Sequence, residues 1–408
     1  MKKQIMALLA LAVAQVGLAQ EETSATLYGY VRGEFAFDSR QVVAAREGNY
    51  IDLASPVNKV NGKDLNANPN FNGWGVESRL GVKIAGPEFF GMKSEALIES
   101  HFFGSSDASI NTLALRHAYV KLSSDKVEWL VGQFWHPMFV TNVSPRTYNF
   151  NAGSPFQPFN RSPQIRFSTK GNARLTLAAI TERDFASVGG KANLSALPAF
   201  HAQLQFGNDD KFVGGFGANY KSLKSGLRGE YFGAFTFLAY AKAKLGQNSA
   251  WQIYADYGQN PSELLQLGGV AVDAKGKYKS NNTLALWTEF YGDFTPSFEW
   301  GIFGGYSKDF GFSKNTTPSA TKFGQMADII DPLTGKATGQ QYLAGTPIST
   351  WRVSPRVGWK SGNTKLTAEL DYTSTTYGAW DTNLKTKKYA QDATAGNFRV
   401  SLSLIQNF

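Results

Sequence analysis

The segment Trp74-Gly-Val-Glu-Ser-Arg-Leu-Gly-Val-Lys-Ile84 alternates between two kinds of position. Its even positions are apolar apart from Ser78, and its odd positions are charged residues or glycine. Because successive side chains of a strand point to opposite faces, this pattern predicts a β-strand with one apolar and one charged face. Segments 350–360, 363–376 and 395–408 repeat the pattern. A single strand of this kind fits a soluble sandwich as well as a membrane barrel.

The lengths of the connections between such segments distinguish a membrane barrel from a soluble sandwich. We predict sixteen strands, near 26–37, 74–85, 92–103, 111–122, 126–135, 163–169, 173–182, 199–207, 212–221, 230–245, 250–259, 282–293, 297–308, 350–360, 363–376 and 395–408. Connections after even-numbered strands are short, and those after odd-numbered strands are mostly long, above all 38–73, 136–162 and 309–349. This parity is typical of outer-membrane barrels, with short periplasmic turns and long extracellular loops. The sequence predicts an all-β chain: a transmembrane antiparallel β-barrel in the bacterial outer membrane.

The N-terminus has the pattern of an export signal. Lys2 and Lys3 precede an apolar stretch over residues 5–18, and the small residues Gly17 and Ala19 stand before a cleavage point. This arrangement predicts a signal peptide over residues 1–19, removed from the mature chain. An amphipathic N-terminal helix is the alternative. Residues 20–408 are predicted to form a single barrel domain.

The composition limits the chemistry that the chain can carry. Its 408 residues include no cysteine and four histidines, with a formal charge of +9. The lack of cysteine excludes disulfides, thiolate metal sites and cysteine nucleophiles. We expect no metal and no cofactor. The positive charge does not predict a nucleic-acid partner, because the basic residues alternate along strands instead of forming an exposed stripe.

The charged strand face is predicted to line a water-filled interior, because Arg or Lys at the bilayer midplane costs about 2–4 kcal/mol. The predicted pore-lining residues are Arg32, Glu34, Glu77, Arg79, Glu99, Arg116, Arg166, Arg352, Arg356 and Arg399. Guanidinium groups stay protonated and offer paired donors to carboxylates, so these arginines favour anionic solutes. A self-neutralised wall, in which Glu34 or Glu77 pairs with arginines, is the alternative.

The connection His136–Ser162 is long and contains four prolines. Long loops without regular structure are usually functional in a compact fold. We expect this loop to fold inward after the fifth strand and to constrict the channel with Arg146, Tyr148 and Arg161. An outward surface loop is the alternative.

The outward positions of strands two to four are unusually small or polar. Lipid would not favour such side chains, whereas a neighbouring subunit could. We therefore predict an oligomer contact, in a trimeric assembly, at Ser94, Ser100 and His117. Local tolerance of polar residues is the alternative.

Five short stretches resemble the DcaP-like outer-membrane porins. They are Thr26-Leu-Tyr-Gly-Tyr-Val-Arg32, Ser78-Arg-Leu-Gly-Val-Lys83, Arg116-His-Ala-Tyr-Val-Lys121, Leu130-Val-Gly-Gln-Phe-Trp135 and Ser162-Pro-Gln-Ile-Arg-Phe167. The resemblance implies a trimeric, sixteen-stranded diffusion channel for small anionic solutes such as dicarboxylates. The terminal Phe408 is similar to the aromatic end that the barrel-assembly machinery recognises.

Two other functions are compatible with the sequence. A structural or adhesive barrel would share the fold without conducting. A lipid-acting enzyme would place a Ser–His pair on the outer wall, with His117 beside Ser94 or Ser100, but it would also need a third, orienting group. We expect no catalytic residues and no enzymatic activity.

Overall fold

The computed structural model describes residues 23–104, 106–150, 153–312, 316–321, 323, 326–330, 337–342, 346–380 and 389–408. The alternating segments form one antiparallel sheet in which every strand pairs with its chain neighbours. Pairing of the first strand with the last closes this sheet into a barrel. The predicted signal peptide, residues 1–19, lies outside the described residues.

Sixteen barrel strands are present in the described part of the chain, as the sequence predicts. Their bounds are β1 Ser24–Asp38, β2 Asn70–Trp74 continued by Arg79–Phe89, β3 Met92–Phe102, β4 Leu113–Ser123, β5 Val127–Trp135, β6 Arg161–Thr169, β7 Ala173–Ile180, β8 Ala199–Asn208, β9 Phe212–Lys224, β10 Tyr231–Lys244, β11 Ser249–Gln259, β12 Asn282–Thr295, β13 Phe298–Asp309, β14 Thr346–Ser361, β15 Thr364–Trp380 and β16 Tyr389–Asn407.

The long connections carry short elements of their own. The loop strands are Val42–Ala45, Tyr50–Ala54, Lys59–Val60, Lys63–Asp64, Gly269–Asp273, Tyr278–Ser280, Thr316–Thr321, Met326–Ile330 and Ala337–Tyr342, and the 3-10 turns are Asp107–Ser109, Ala192–Leu194 and Ser262–Leu264. Of the helices in the described residues, none has the length and apolar character needed to cross a membrane.

The two faces of the last strand differ as the alternation predicts. Leu402 and Val400 face outward and are 52% and 45% exposed, whereas Arg399 and its pairing partner Asp38 on β1 face inward and are each 1% exposed. Large apolar side chains occupy the outward positions around the whole barrel, among them Phe35, Ile98, Val131, Ile165, Leu177, Phe216, Phe237, Ile302, Val353 and Leu370. Such an apolar outer belt around a closed sheet is the surface that a barrel presents to lipid.

The alternating segment 74–84 contains an irregularity in the structure. Glu34 pairs with Trp74, and Tyr30 pairs with Arg79, so β2 holds one more residue than β1 over this stretch. The extra residue inverts the side-chain alternation across the break. Trp74 and Val76 are therefore buried inside the barrel. Their predicted outward orientation is wrong, whereas the inward orientation of Arg79 is correct.

A second irregularity changes the face of His117. Glu99 pairs with His117 while the next residue, Ser100, pairs with Leu115. Arg116 and His117 thus both lie opposite one residue of β3, as in a β-bulge, and both are buried in the barrel interior. The prediction that His117 contacts another subunit is therefore wrong.

Candidate functional site

The loop 136–162 lies inside the barrel, against the inner wall opposite to its own strands. The backbone N–H of Arg146 donates to the Glu289 carboxylate at 3.1 Å, and the backbone N–H of Asn149 donates to Glu369 at 3.0 Å. The Tyr148 backbone N–H also donates to Glu369, at 2.6 Å. Two wall carboxylates, on β12 and β15, therefore hold the middle of the loop through its backbone.

Apolar packing fixes the two ends of the same loop. Met138, Val140, Val143 and Phe156 are buried against inner-wall residues of β9–β13, and these wall residues are Val213, Leu238, Tyr240, Tyr254, Trp287 and Phe303. The Trp287 indole N–H donates to the Gln157 side chain at 2.7 Å. One side of the barrel interior is thus a packed core, not open water.

The loop 38–73 also bends over the barrel interior, an arrangement that the alternation of residues does not indicate. Arg399 donates to the backbone carbonyls of Gly48 and Asn49, at 2.7 and 3.2 Å. Arg352 on β14 donates to the carbonyl of Asp52 at 2.9 Å and to that of Ser154 at 2.8 Å. A single wall arginine therefore ties both inward loops to the barrel.

The inward loops meet in an aromatic cluster on the extracellular side. Tyr50 packs edge-on against Phe150 and Phe159, with ring centroids 5.9 and 5.6 Å apart. Phe103 lies 4.7 Å from Phe150, and Trp135 stacks on Phe139 at 4.0 Å. Three different loops and the end of β5 contribute to this cluster.

Most of the predicted pore-lining arginines are buried in ion pairs. Arg32 contacts the carboxylates of Glu34 and Glu77 at 3.0 and 2.7 Å, and it donates to the Tyr148 carbonyl at 2.5 Å. Arg116 pairs with Glu99 at 2.8 Å. These contacts match the alternative of a self-neutralised wall.

Arg356 on β14 and Arg399 on β16 are paired in the same way. Arg356 pairs with Glu289 at 2.5 Å, and Arg399 pairs with Asp38 at 2.6 Å. Arg352 carries its hydrogen bonds to the two inward loops, and all three arginines are at most 5% exposed. These side chains hold the loops and the wall together. Their burial argues against the predicted contact with solutes.

Among the residues predicted to constrict the channel, only two lie in the inward loop itself. Arg146 is exposed, and its guanidinium lies 4.2 Å from the centroid of the Tyr291 ring. The Tyr148 hydroxyl donates to Glu299 on β13. Arg161 is instead the first residue of β6, where it is buried and paired with Asp184 at 2.5 Å. Arg161 therefore belongs to the barrel wall and not to the predicted constriction loop.

Within the described part of the chain, two interior cavities lie between the loop and strands β1–β8. The first has a volume of about 410 Å³ and includes Arg79, Tyr28 and Glu99 in its lining. The second has a volume of about 240 Å³ and includes Arg166 and Gln205. Both also border Phe134, so they lie side by side on the half of the barrel that the loop leaves free.

The second cavity has a strongly basic lining. Lys121, Arg166 and Arg174 face it together with a single acidic residue, Glu128. Arg174 lies 3.6 Å from Glu128 and keeps 38% of its side chain exposed. Arg166 donates to the Trp135 carbonyl at 2.5 Å, which orients its guanidinium along the wall.

Strand alternation predicts that Arg174 points inward, whereas Lys121 is not among the residues predicted to line the pore. Lys121 lies beyond the bulge at Arg116 and His117, and alternation gives it the same orientation as His117, which is predicted to face outward. In the structure, His117 and Lys121 both point into the barrel. Arg174 stands near a short turn, and only the position of the loop reveals that this part of the wall stays open to water.

Ser94 and Ser100 face outward on β3, on the wall where the oligomer contact is predicted. Their side chains are partly exposed, and the Ser94 hydroxyl donates to the Pro87 carbonyl at 2.7 Å. Among the described residues, no group of three or more His, Asp or Glu side chains is arranged to hold a metal ion.

The closed sheet, the apolar belt and the loop-lined polar interior define a transmembrane β-barrel with the porin fold. Even-stranded antiparallel barrels of this type belong to bacterial outer membranes, and the chain is accordingly an outer-membrane protein.

Solved structures of this class match almost the whole chain. The outer membrane channel DcaP of Acinetobacter baumannii has a TM-score of 0.69 at 18% identity, over 96% of this chain and 99% of that one. The anion-selective porin from Comamonas acidovorans has a TM-score of 0.56 at 12% identity, over 95% of this chain and 100% of that one. OmpT of Vibrio cholerae has a TM-score of 0.55 at 11% identity, over 96% and 99%. No family model and no curated protein sequence matches the chain.

Proposed function

We propose that the chain is a porin that passes small hydrophilic solutes by passive diffusion and prefers anions. The observation that carries this proposal is the cavity between the inward loop and β4–β8, whose lining has three basic residues and one acidic residue. Cations in a narrow passage with low-dielectric walls focus the field and raise the local concentration of anions.

The lining of this cavity supports a preference for carboxylates. Arg166 and Arg174 stand on neighbouring strands, β6 and β7, and both face the same cavity. Two guanidinium groups can each donate paired hydrogen bonds to one carboxylate, which suits a dicarboxylate better than a neutral solute. Arg174 keeps 38% of its side chain exposed to water, which keeps binding weak, as passage requires.

The proposed assembly is a homotrimer whose contact includes Ser94 and Ser100 on β3. Small outward side chains allow the walls of two barrels to approach closely. The proposal also includes recognition of the strand ending at Phe408 by the barrel-assembly machinery. A similar fold is known for a porin described as anion-selective, and another was solved in a trimer form.

The test is the zero-current potential of the purified protein in a planar bilayer under a salt gradient. We expect the wild type to be anion-preferring. The double substitution Lys121→Glu and Arg174→Glu reverses two charges in the path and should move the zero-current potential toward cation preference. Lys59→Glu, an exposed change in the loop 38–73, is the matched control and should leave it near the wild-type value.

Two results would contradict the proposal. A wild type that never conducts would favour the structural or adhesive barrel. A double variant with the wild-type potential would show that Lys121 and Arg174 do not control permeation.

A further inference from the structure

A second basic site lies on the outside of the barrel, at the extracellular ends of β10–β13. It is a cavity of about 960 Å³. Its lining combines the segment 225–233, the segment 275–280, Gln259, Asn282 and the segment 310–312. This cavity plays no part in the interior path described above.

The strand alternation shows that the cavity faces away from the lumen. Tyr257 and Phe310 are outward-facing and half exposed, with ring centroids 6.1 Å apart. Gln259 has the same parity as Tyr257 and therefore also points outward. The long loops follow the odd-numbered strands, so the ends of β11 and β13 mark the extracellular side.

A loop hairpin forms the roof of the cavity. Its strands Gly269–Asp273 and Tyr278–Ser280 are paired, and the Tyr278 ring stacks on Phe232 of β10 with centroids 5.4 Å apart. The Asp273 carboxylate accepts the backbone N–H groups of Lys275 and Lys277, each at 2.9 Å. The hydrogen bond from Lys277 holds the pKa of the Asp273 carboxyl below its ordinary value. The tip that carries the lysines is therefore a formed turn.

The charges of this rim are mainly positive. The basic residues are Arg228, Lys275, Lys277, Lys279 and the neighbouring outward-facing Lys308, against Glu230 and Asp273. The Lys277 ammonium lies 3.8 Å from the Glu230 carboxylate, and both side chains are largely exposed. The other cations on this rim are not in ion pairs of this kind among the described residues.

Apolar rings continue directly below the basic rim. Tyr231, Phe235 and Phe237 of β10 face outward and are each more than half exposed, and the rings of Phe235 and Phe237 stack at 6.5 Å. The outer wall thus changes from cationic to aromatic to aliphatic along the membrane normal. An amphiphile with an anionic head and hydrocarbon tails has the complementary order.

We propose that this cavity binds the phosphorylated sugar headgroup of an outer-leaflet glycolipid, lipopolysaccharide, while its acyl chains run along the outer wall of β10–β13. Lysine and arginine side chains bind phosphate by charge-assisted hydrogen bonds. A solute in the lumen cannot supply the ligand, because the cavity opens on the other side of the wall. These strands also lie across the barrel from β2–β4, where the subunit contact is proposed.

The experiment measures lipopolysaccharide binding to the delipidated, detergent-purified full-length protein by native mass spectrometry. The triple variant Lys275→Gln, Lys277→Gln and Lys279→Gln should bind at least about tenfold more weakly, since each cation near a lipid headgroup contributes about 1 kcal/mol. A matched variant changes three exposed lysines of the periplasmic turns, Lys126→Gln, Lys170→Gln and Lys211→Gln, and should bind as the wild type does.

Three ligand probes identify the recognised group. Bisphosphorylated lipid A should bind, and dephosphorylated lipid A should bind at least about tenfold more weakly. Inorganic phosphate alone should not displace the glycolipid at comparable concentration. Equal binding of the two lipid A forms, displacement by inorganic phosphate, or wild-type affinity in the triple variant would each overturn the proposal.

If the triple variant fails to form a heat-modifiable barrel, Arg228→Gln with Lys308→Gln provides the second measurement. These two side chains approach the cavity from the barrel itself and not from the hairpin. The same weakening is expected, and unchanged affinity would again overturn the proposal.

Discussion

At the level of single residues, Arg352 shows how the interior charges are used. Its guanidinium donates to the Thr373 hydroxyl at 2.8 Å and to the carbonyls of Ser154 and Asp52 at 2.8 and 2.9 Å. The planar group offers several donors in fixed directions, so it can bridge one wall and two loops at once. A lysine could not reproduce this geometry. The arginine therefore acts as a loop anchor.

Replacement of Arg352 should loosen both loops without opening the barrel. Arg352→Ala leaves two buried carbonyls without these partners, at a cost of roughly 1–3 kcal/mol each. We expect rapid fluctuations of the open-channel current in single-channel recordings and a lower temperature of heat-induced unfolding. Arg183→Ala removes an exposed arginine of the loop after β7 and serves as the control. A quiet trace of wild-type amplitude would show that Arg352 does not hold the loops.

At the level of elements, the packing of the inward loop depends on a glycine in the barrel wall. Gly305 of β13 faces the interior, and a Cβ atom built there would lie 2.4 Å from ring carbons of Phe156. The loop ring occupies the space that any other residue would need. The neighbouring Gly304 faces outward and has no atom within 4 Å of such a Cβ. The two glycines therefore form a matched pair.

Gly305→Val should displace the loop from the β13 wall toward the free half of the lumen. Overpacking of this kind costs about 1–3 kcal/mol, while valine itself suits a strand. We expect a lower single-channel conductance than in the wild type. Gly304→Val, one residue away on the lipid side, should conduct normally. Equal conductance in both variants would contradict the packing of Phe156 on Gly305.

At the level of the whole molecule, the barrel has two unlike outer walls. The wall of β10–β13 is aromatic and apolar, with outward rings such as Phe235, Phe237 and Phe290. The wall of β3 includes the small or polar outward residues Ser94, Ala96 and Ser100. This difference supports lipid contact on the first wall and subunit contact on the second.

Bulk added to the two walls should have different effects on assembly. Ser100→Trp places a large ring in the proposed trimer contact and should shift the protein toward monomers in size-exclusion chromatography with light scattering. Ala255→Trp adds the same ring to an outward position of β11, where lipid can accommodate it. A trimer that survives Ser100→Trp as it survives Ala255→Trp would exclude β3 from the contact.

The sequence predicts the regular part of this molecule well, because the alternation of apolar and polar residues determines which face of a strand meets lipid. The strand number, the closed barrel and the inward orientation of Arg79 and Arg399 follow from that pattern. It fails at Trp74 and His117, where one extra residue inverts the alternation. A bulge leaves no trace in a residue-by-residue count of polarity.

The state of the interior could not be predicted in the same way. Whether Arg356 meets water or a carboxylate depends on which strand lies opposite and where the loop 136–162 packs. Glu289 is distant from Arg356 in the sequence, yet the two side chains are 2.5 Å apart. Such long-range pairs, and with them the half of the lumen that stays open, require the three-dimensional structure.

The most direct test of this account is the accessibility of one interior position during conduction. Because the chain has no cysteine, Gln205→Cys introduces a single thiol into the basic cavity, and Leu204→Cys introduces one on the outer face next to it. A bulky, water-soluble methanethiosulfonate reagent should lower the single-channel current of Gln205→Cys and leave that of Leu204→Cys unchanged. Unaltered current through modified Gln205→Cys channels would contradict a permeation path between the inward loop and β4–β8.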